Sequence, residues 1–377
     1  MIKKEIYYWG PFIDNVATVK AIFNSAKGIK RYSKKYSSTI INAVGEWKTY
    51  KDNNKKEKLN FRDLNFDYYS KLPRFTFLKS RYSYLKIFFT CFFPLKRLLE
   101  KEKPDYLIIH LIVSLPLILF LLFTFKTKLC LRISGTPKLT FFRQLLWRIS
   151  SNKIHKVFCP TEETKNILER KKIFNKGILV LEDPILEVNN KPSEDKSACQ
   201  FLKNQIILIG RLTKQKNFEL FINAFSIIEK KYPKLKVNIF GEGELKSKLM
   251  QLVDEKKLKD KVFFLGYKKN IFFYLKNSKF FVLSSLWEDP GFVLIEAALC
   301  NTSIISSDCP SGPKEFLMNG KGGFLFKNNS IESFVETFEE ALKSSEKALS
   351  EKKIIAKLQA KKYSILRHTK KLENLIG

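Results

Sequence analysis

The segment formed by residues 280–300 constrains the fold of this chain more than any other part of the sequence. Residues 280–283 are four apolar residues in a row, without polar alternation, which is typical of a strand buried on both faces. Pro290 and Gly291 then break the chain, and residues 292–300 are apolar enough to begin a buried helix. A strand, a turn and a helix in this order form the unit from which layered α/β domains are built.

The turn in this segment carries two carboxylates. Glu288 precedes Pro290 and Gly291, and Glu296 follows them by about one helical turn. Backbone N–H groups at a helix start lack partners and suit an anionic group such as a phosphate. A carboxylate is repelled by phosphate but accepts hydrogen bonds from hydroxyl groups. Amides for a phosphate beside carboxylates for hydroxyls indicate a nucleotide-sugar as the ligand.

A second loop adds positive charge. Residues 206–209 predict another buried strand, which is followed by Gly210 and by a polar loop before a helix that begins at Phe218. Arg211 and Lys216 therefore share one loop at the carboxyl end of a strand. Two fixed cations in such a loop stabilise the charge that develops on a leaving diphosphate. The alternative is a solvated basic loop without a ligand.

The first half of the chain predicts the same kind of unit. Residues 6–9 predict a strand, Gly10 turns the chain, and residues 17–29 predict a helix, although the dinucleotide fingerprint G-x-G-x-x-G is absent. Residues 106–109 predict a buried strand that ends at His110, so its imidazole is expected at the ligand-binding edge of the sheet. The alternative for His110 is a position in the core without a ligand, and the alternative for Gly10 is a glycine that serves only the turn.

Other stretches carry no such motif. Residues 48–62 are polar and lysine-rich, which predicts a loop, and Thr161 is predicted to cap a helix. His155 and His368 lie in lysine-rich surroundings without a recognisable pattern.

The motifs together resemble the donor site of glycosyltransferase family 4, whose members are retaining enzymes of the GT-B fold. The resemblance rests on the two glutamates on either side of Pro-Gly-Phe and on the loop G-R-L-x-x-x-K-N at residues 210–217. It also includes the stretch P-D-x-x-x-x-H at residues 104–110, and the motifs are most specific between residues 206 and 326.

This resemblance implies roles for single residues. Arg211 and Lys216 stabilise the departing diphosphate, Glu288 orients sugar hydroxyls, and Glu296 binds ribose hydroxyls. His110 contacts the donor sugar near the reacting carbon. The remaining donor-binding positions lie in glycine turns and at the helix start: Gly10, Gly210, Gly241, Tyr267, Asp289, Pro290, Gly291, Phe292 and Val293.

We therefore predict an α/β chain with the GT-B fold, in which two Rossmann-like domains face each other across a cleft. Residues 1–190 are predicted to bind the acceptor, residues 191–204 to form a linker, and residues 205–350 to bind the nucleotide-sugar. Residues 351–377 are predicted to cross back to the first domain. No D-x-D occurs in the sequence, so we expect no metal and no cofactor, with a UDP-sugar or GDP-sugar as the donor substrate.

The net charge of +32 indicates an anionic partner. Residues 1–190 hold 36 Lys+Arg against 16 Asp+Glu, so the first half carries most of the excess. Aromatic and basic residues are mixed over residues 68–100, which suits a membrane interface, single-stranded nucleic acid, or a helix with a buried aromatic face. Because no nucleic-acid-binding motif occurs, an anionic membrane surface is the expected partner and nucleic acid is not.

Residues 106–125 are apolar over almost the length of a bilayer. His110, Ser114 and Pro116 interrupt this stretch, so we predict a strand followed by a separate short helix over residues 115–125. A position of that helix on the lipid surface is left open by the sequence.

Six scattered cysteines without a C-x-x-C pattern, and a start that resembles no signal peptide, predict a cytoplasmic protein with reduced thiols. We expect a peripheral enzyme on the inner face of a bacterial cell membrane. It would extend a glycan or a lipid-linked oligosaccharide in surface polysaccharide assembly. A GT-B nucleotide-sugar epimerase and a basic nucleic-acid-binding protein are the alternatives.

Overall fold

The computed structural model describes residues 2–13, 17–53, 57–73, 77–187, 205–268 and 270–377. The chain divides into two compact units, with residues 1–185 and 364–377 in unit 1 and residues 186–363 in unit 2. The chain therefore returns to unit 1 at Ser364, and not at residue 351 as the sequence suggested. The predicted linker, residues 191–204, lies outside the described residues.

Unit 1 contains a parallel sheet of seven strands. They are β1 Lys4–Trp9, β2 Tyr36–Asn42, β3 Asn60–Asp63, β4 Tyr106–Ile109, β5 Lys128–Arg132, β6 Ile154–Cys159 and β7 Ile178–Val180. Their order in the sheet is β3-β2-β1-β4-β5-β6-β7. All four residues of β4 are buried, because helices cover both faces of a parallel sheet.

The helices of unit 1 include one from the end of the chain. They are α1 Ala17–Tyr32, α2 Lys48–Asn53, α3 Phe77–Glu102, α4 Ser114–Leu122, α5 Phe141–Ser150, α6 Glu162–Arg170 and the C-terminal α14 Ile365–Ile376. The prediction of a loop over residues 48–62 is wrong, because α2 and the edge strand β3 lie there. The predicted cap is confirmed, since the Thr161 hydroxyl accepts a hydrogen bond from the Thr164 amide at 3.1 Å.

Unit 2 contains a parallel sheet of six strands. They are β8 Gln205–Ile209, β9 Lys236–Phe240, β10 Val262–Gly266, β11 Phe280–Leu283, β12 Ser303–Ser307 and β13 Phe324–Phe326. The order in the sheet is β10-β9-β8-β11-β12-β13. The helices are α7 Phe218–Lys231, α8 Lys246–Glu255, α9 Phe272–Asn277, α10 Phe292–Leu299, α11 Pro313–Phe316, α12 Ile331–Lys343 and α13 Glu346–Ala360.

Both sheets reverse their strand order at one point. In unit 1 the reversal lies between β1 and β4, and in unit 2 it lies between β8 and β11. Ligands of open parallel sheets bind outside the carboxyl ends of the strands at such a point. The loops that follow these four strands contain Gly10, His110, Arg211 and Glu288, so each of these predicted residues lies at the reversal point of its own sheet.

The apolar stretch at residues 106–125 forms β4 and α4, as predicted, although the helix ends at Leu122. Throughout the described ranges, every helix falls short of the length or the apolar character that a bilayer crossing requires.

Candidate functional site

In unit 2, the loops after β8 and β11 are fastened to each other by backbone and side-chain hydrogen bonds. The Leu286 amide donates to the Gln215 carbonyl at 2.8 Å, and Gln215 Nε2 donates to the Trp287 carbonyl at 2.9 Å. The Ser284 hydroxyl donates to the Lys216 carbonyl at 2.9 Å. The two loops that the sequence assigned to separate motifs therefore form one structure.

Lys216 and Glu288 form the centre of this structure. The Lys216 ammonium donates to Glu288 Oε1, and the Ser285 hydroxyl donates to the same oxygen at 2.6 Å. The Glu288 backbone is also held, because its amide donates to the Pro310 carbonyl and its carbonyl accepts from the Ser311 amide, both at 2.8 Å. Only 6% of Glu288 is exposed, so its carboxylate has a fixed position.

The glycines after β8 and β9 allow the backbone of these loops to approach closely. A Cβ on Gly210 would lie 3.2 Å from the Lys216 side chain, which runs across this position. A Cβ on Gly241 would lie 1.9 Å from the Gly210 carbonyl oxygen, and Gly241 has a φ of +139°. The Gly241 amide donates to the Gly266 carbonyl at 2.9 Å, and the adjacent Tyr267 is 76% exposed. Gly210 and Gly241, both predicted, therefore lie together.

The α10 helix begins directly beside Glu288. Gly291 precedes the helix with a φ of +91°, and no side chain of the described residues caps the helix start. A Cβ on Gly291 would lie 3.5 Å from Glu288 Oε2. Phe292 and Val293 form the first turn and are half-buried. The free amides of this turn and the carboxylate are thus neighbours, as the sequence suggested.

Glu296 is a buried carboxylate in an otherwise apolar helix. It is 5% exposed and lies in the second turn of α10. Before the helix, Asp289 Oδ2 accepts from the Ser311 hydroxyl at 3.1 Å. Pro290 lies against Gly312, where a Cβ would be 2.7 Å from the Pro290 Cα. The turn is therefore packed from both sides.

Arg211 differs from Lys216 in its surroundings. It is exposed, and in the part of the chain that the structure describes no carboxylate forms an ion pair with it. Thr213 in the same loop has a buried hydroxyl oxygen for which the described residues provide no hydrogen-bond partner. Neither Thr213 nor Ser285 belongs to a motif predicted from the sequence. For Ser285 the signal was its place two residues after the end of β11, where polar residues follow an apolar strand.

In unit 1, His110 follows β4, and its amide donates to the Trp9 carbonyl at 2.9 Å. The residue is 9% exposed, and neither ring nitrogen has a hydrogen-bond partner among the described residues. Burial, together with the positive charge of Arg132 and the nearby His368, lowers the pKa of His110 well below its ordinary value. The imidazole is therefore neutral at pH 7, with one nitrogen that donates and one that accepts.

Gly10 lies beside this histidine. A Cβ on Gly10 would lie 2.3 Å from the end of Ile22 and 3.7 Å from the Cβ of His110. Gly10 therefore leaves room for the packing around His110. Its predicted contact with a diphosphate stays a prediction.

A small buried cavity next to His110 is lined by charged groups that the sequence did not reveal. Arg132 and Asp183 form an ion pair of 2.6 Å, and their side chains are 2% and 7% exposed. His368, which had no predicted context, is buried and hydrogen-bonded to the Ser25 hydroxyl at 2.8 Å and to the Glu182 carbonyl at 2.6 Å. No group of three or more His, Cys, Asp or Glu residues with the arrangement of a metal site occurs in the described parts of either unit.

The chain is similar to known glycosyltransferases. The family model described as Glycosyl transferases group 1 matches residues 193–357. An uncharacterized glycosyltransferase of Methanocaldococcus jannaschii is 33% identical over 313 residues, which cover 77% of this chain and 73% of that protein.

A more local similarity links the chain to a Campylobacter jejuni enzyme, N-acetylgalactosamine-N,N'-diacetylbacillosaminyl-diphospho-undecaprenol 4-alpha-N-acetylgalactosaminyltransferase. The two are 35% identical over 136 residues, and the alignment covers 36% of each protein. Among solved structures, a mutant of Staphylococcus aureus TarM in complex with fondaparinux, alpha-GlcNAc-glycerol and UDP has a TM-score of 0.75. That comparison has 15% identity and covers 99% of this chain and 100% of that one, so it shows the fold.

Proposed function

The chain belongs to the Glycosyl transferases group 1 family and has the GT-B fold, and from this premise we propose that it transfers a hexosyl group from a UDP-sugar or GDP-sugar to a glycan acceptor with retention of configuration. The observation that carries this proposal is the Lys216–Glu288 pair at the start of α10, next to the glycine turn of Gly210. A cation, unpaired helix amides and a fixed carboxylate then border one small region.

Charge complementarity supports a diphosphate as the group bound there. Arg211 is exposed beside Lys216 in the same loop, and the first-turn amides of α10 add donors without a full charge. These groups stabilise the negative charge that develops as the bond from the sugar to the diphosphate breaks. We propose that they do so without a metal ion.

The carboxylates are assigned to hydroxyl groups. Glu288 keeps one oxygen on Lys216 and Ser285, which leaves Oε2 on the side of Gly291 to accept from a sugar hydroxyl. Glu296 is assigned to the ribose hydroxyls. His110, as a neutral imidazole with both nitrogens available, is suited to the contact with the transferred sugar that the family resemblance implies.

Retention is proposed to arise from attack on the same face that the diphosphate leaves. The acceptor hydroxyl oxygen forms a bond to the anomeric carbon, the bond to the diphosphate oxygen breaks, and that oxygen takes the acceptor proton. No enzymic nucleophile is assigned. Glu288 is a poor candidate, because a carboxylate that already binds an ammonium and a hydroxyl is less nucleophilic.

For the acceptor, we propose a glycan or lipid-linked oligosaccharide in bacterial surface polysaccharide synthesis, such as lipopolysaccharide O-antigen or capsule. The Campylobacter relative is named for an undecaprenol-linked acceptor. A second support is an exposed apolar surface of unit 1, here called the α3–α5 surface. It consists of Leu78, Tyr82, Leu85, Phe89, Phe93, Leu122, Phe141, Phe142, Leu145 and Ile149.

On α3, the buried face is formed by Ile87, Cys91, Leu95 and Leu99, while Phe89 and Phe93 are 71% and 60% exposed. A buried aromatic face is therefore the wrong interpretation for these two rings. Large exposed apolar patches mark interaction sites, and the excess of basic residues in the first half suits anionic lipid. We propose peripheral binding to the cytoplasmic face of the membrane.

A thermal-shift screen tests the donor assignment. Wild type, Arg211→Ala and the matched control Lys214→Ala, an exposed lysine of the same loop, are compared with UDP, GDP, ADP and CMP. We expect UDP or GDP to raise the melting temperature of wild type and of the control by mass action, and this rise to be lost in Arg211→Ala.

Transfer itself is tested by incubating the matching nucleotide-sugar with and without undecaprenol-diphosphate-linked oligosaccharide. Acceptor-dependent release of the nucleoside diphosphate supports the proposal. Epimerised donor without an acceptor would instead identify an epimerase, and equal melting temperatures with every nucleotide would contradict the proposed donor site.

A further inference from the structure

A pocket with a volume of 310 Å³ lies in unit 1, away from His110. It is bordered by the end of α4, by Lys128 at the start of β5 and by Ile154 at the start of β6. Because β4, β5 and β6 are parallel, the pocket lies at the amino edge of the sheet, whereas His110 follows the carboxyl end of β4. The pocket is thus separate from every residue assigned above to the donor.

The lining of this pocket is strongly basic. It contains Lys126, Lys128, Lys153 and Lys176 together with His155, and none of the described residues that line it is acidic. Within the described ranges, no carboxylate forms an ion pair with any of these lysines. Lys176 donates to the Ile154 carbonyl at 3.0 Å, and the other three ammonium groups have no anionic partner among the residues that the structure describes. The pocket therefore concentrates positive charge that the protein does not balance.

A buried hydroxyl group in the pocket also lacks a hydrogen-bond partner in the described part of the chain. Thr127 is 4% exposed, and its Oγ1 forms no hydrogen bond with the described residues. Buried polar atoms are almost always hydrogen-bonded in folded proteins. A hydroxyl group can donate to an anionic oxygen, so Thr127 gives an independent indication of a ligand with such oxygens.

The pKa of His155 responds to the positive charge of the lysines around the pocket. Burial and the charges of Lys128, Lys156 and Lys176 lower its pKa, and its ring lies 6.1 Å from that of Tyr106. The neutral imidazole has an N–H that can donate to the same ligand. Its protonation is sensitive to any anion that enters the pocket, because a nearby negative charge favours the protonated form.

One wall of the pocket is apolar. Phe120, Phe123 and Phe125 contribute to the lining, with the rings of Phe120 and Phe125 4.8 Å apart. A volume of 310 Å³ is that of a small organic ligand more than of a bare ion. The chemistry that fits is an anionic group on an organic body that can contact aromatic rings.

We propose that this pocket binds the phosphate group of an organic phosphate, with Lys126, Lys153 and the Thr127 hydroxyl as its main contacts. The ligand is a phospholipid headgroup or a soluble organic phosphate, since both present the same oxygens. The proposal does not depend on the transferase reaction, because none of these residues belongs to the proposed donor site.

Histidine NMR tests this directly. The sequence contains three histidines, so protein labelled with ¹³C at histidine gives three imidazole signals, and His155→Gln identifies the one from the pocket. Inorganic pyrophosphate is titrated first. Soluble dihexanoyl-phosphatidylglycerol is titrated next, with dihexanoyl-phosphatidylcholine as the zwitterionic control.

The comparison uses three variants. Lys126→Gln/Lys153→Gln removes two pocket charges whose side chains form no hydrogen bond or ion pair with the described residues. Lys230→Gln/Lys234→Gln removes two exposed lysines of unit 2 as the charge-matched control, and Arg211→Ala disables the donor loop. We expect saturable shifts of the His155 signal, with its titration midpoint moved to higher pH, in wild type, the lysine control and Arg211→Ala. The pocket variant should bind about tenfold more weakly.

A response to pyrophosphate supports a soluble phosphate as the ligand, and a response to phosphatidylglycerol alone supports the headgroup. The proposal is overturned if neither compound shifts the His155 signal saturably. It is also overturned if the pocket variant binds as tightly as the lysine control.

Discussion

Lys216 donates a hydrogen bond to the carboxylate of Glu288, 72 positions away, and so joins the loops that follow β8 and β11. The side chain of Glu288 is 6% exposed and that of Lys216 15% exposed. Because both groups are removed from water, each depends on the other for neutralisation of its charge. The pair is therefore both a structural contact and the proposed donor machinery.

The first prediction is a measurable coupling within this pair. Lys216→Met and Glu288→Gln should each lower the free energy of unfolding, and the double variant should lose less than the sum, with a coupling of about 1 to 3 kcal/mol. Urea unfolding of the four proteins gives this value. The exposed pair Lys248–Glu219, with side chains 65% and 48% exposed, is the control and should couple by less than about 0.5 kcal/mol. Equal coupling in the two pairs would contradict the argument.

The second prediction concerns the glycine turn. Gly241→Ala should lower the free energy of unfolding by at least about 2 kcal/mol, because the new Cβ overlaps the Gly210 carbonyl and the φ of +139° disfavours alanine. Gly177→Ala is the matched control, since no atom of the described residues lies within 4 Å of its Cβ position, and its effect should stay within about 0.5 kcal/mol. Thermal or urea unfolding distinguishes the two. The Gly241 variant should also lose its melting-temperature rise with UDP or GDP.

The sequence was sufficient for the parts of the fold that depend on local pattern. Apolar runs such as residues 280–283 predicted the strands because parallel strands are buried on both faces. The two loops of the donor motif could be paired because both follow such strands. The short helix α2 and the edge strand β3 were not predicted, since an exposed edge strand has no apolar run to mark it.

Contacts between residues that are distant in the sequence could not be predicted. Arg132 and Asp183 are 51 positions apart on different parts of unit 1, and neither has a local pattern that indicates a buried partner. The same holds for His368, which reaches the Ser25 hydroxyl from the C-terminal helix. Pairings of this kind follow from tertiary packing, so one sequence without related sequences contains no signal for them.

The third prediction is an acid-dependent loss of stability caused by His368. Burial is the main cause that lowers the pKa of His368 from 6.5 to about 3, and the charges of Arg132 and Lys371 act in the same direction. The hydrogen bond with the Glu182 carbonyl partly opposes this shift. Between these values the unfolded chain binds a proton that the folded chain does not, so this contribution to stability falls as the pH falls. Relative to His368→Gln, the free energy of unfolding of wild type should fall by about 1.4 kcal/mol for each unit by which the pH is lowered from 6 to 4.

Glu46 should behave with the opposite sign and serves as the comparison. Its burial raises the pKa of its carboxyl group from 4.5 to about 7, despite hydrogen bonds from the Val44 and Ala43 amides. The folded chain then holds a proton that the unfolded chain lacks, so stability from this group is lost as the pH rises through 7. Relative to Glu46→Gln, the free energy of unfolding of wild type should therefore rise as the pH is lowered from 8 to 5. Unfolding free energies of the three proteins at several pH values test both signs, and parallel curves would refute both assignments.

The last prediction concerns lipid binding by the α3–α5 surface. Phe89→Ser/Phe93→Ser/Phe142→Ser should reduce co-sedimentation with phosphatidylglycerol vesicles about tenfold or more, because these rings are the exposed apolar groups that would enter the interface. The melting temperature should change little, since the three side chains are 60% to 79% exposed. Ile227→Ser/Met250→Ser, exposed apolar residues of unit 2, is the control and should bind vesicles like wild type. If wild type already fails to sediment with these vesicles at low salt, where electrostatic attraction is strongest, the surface has another partner.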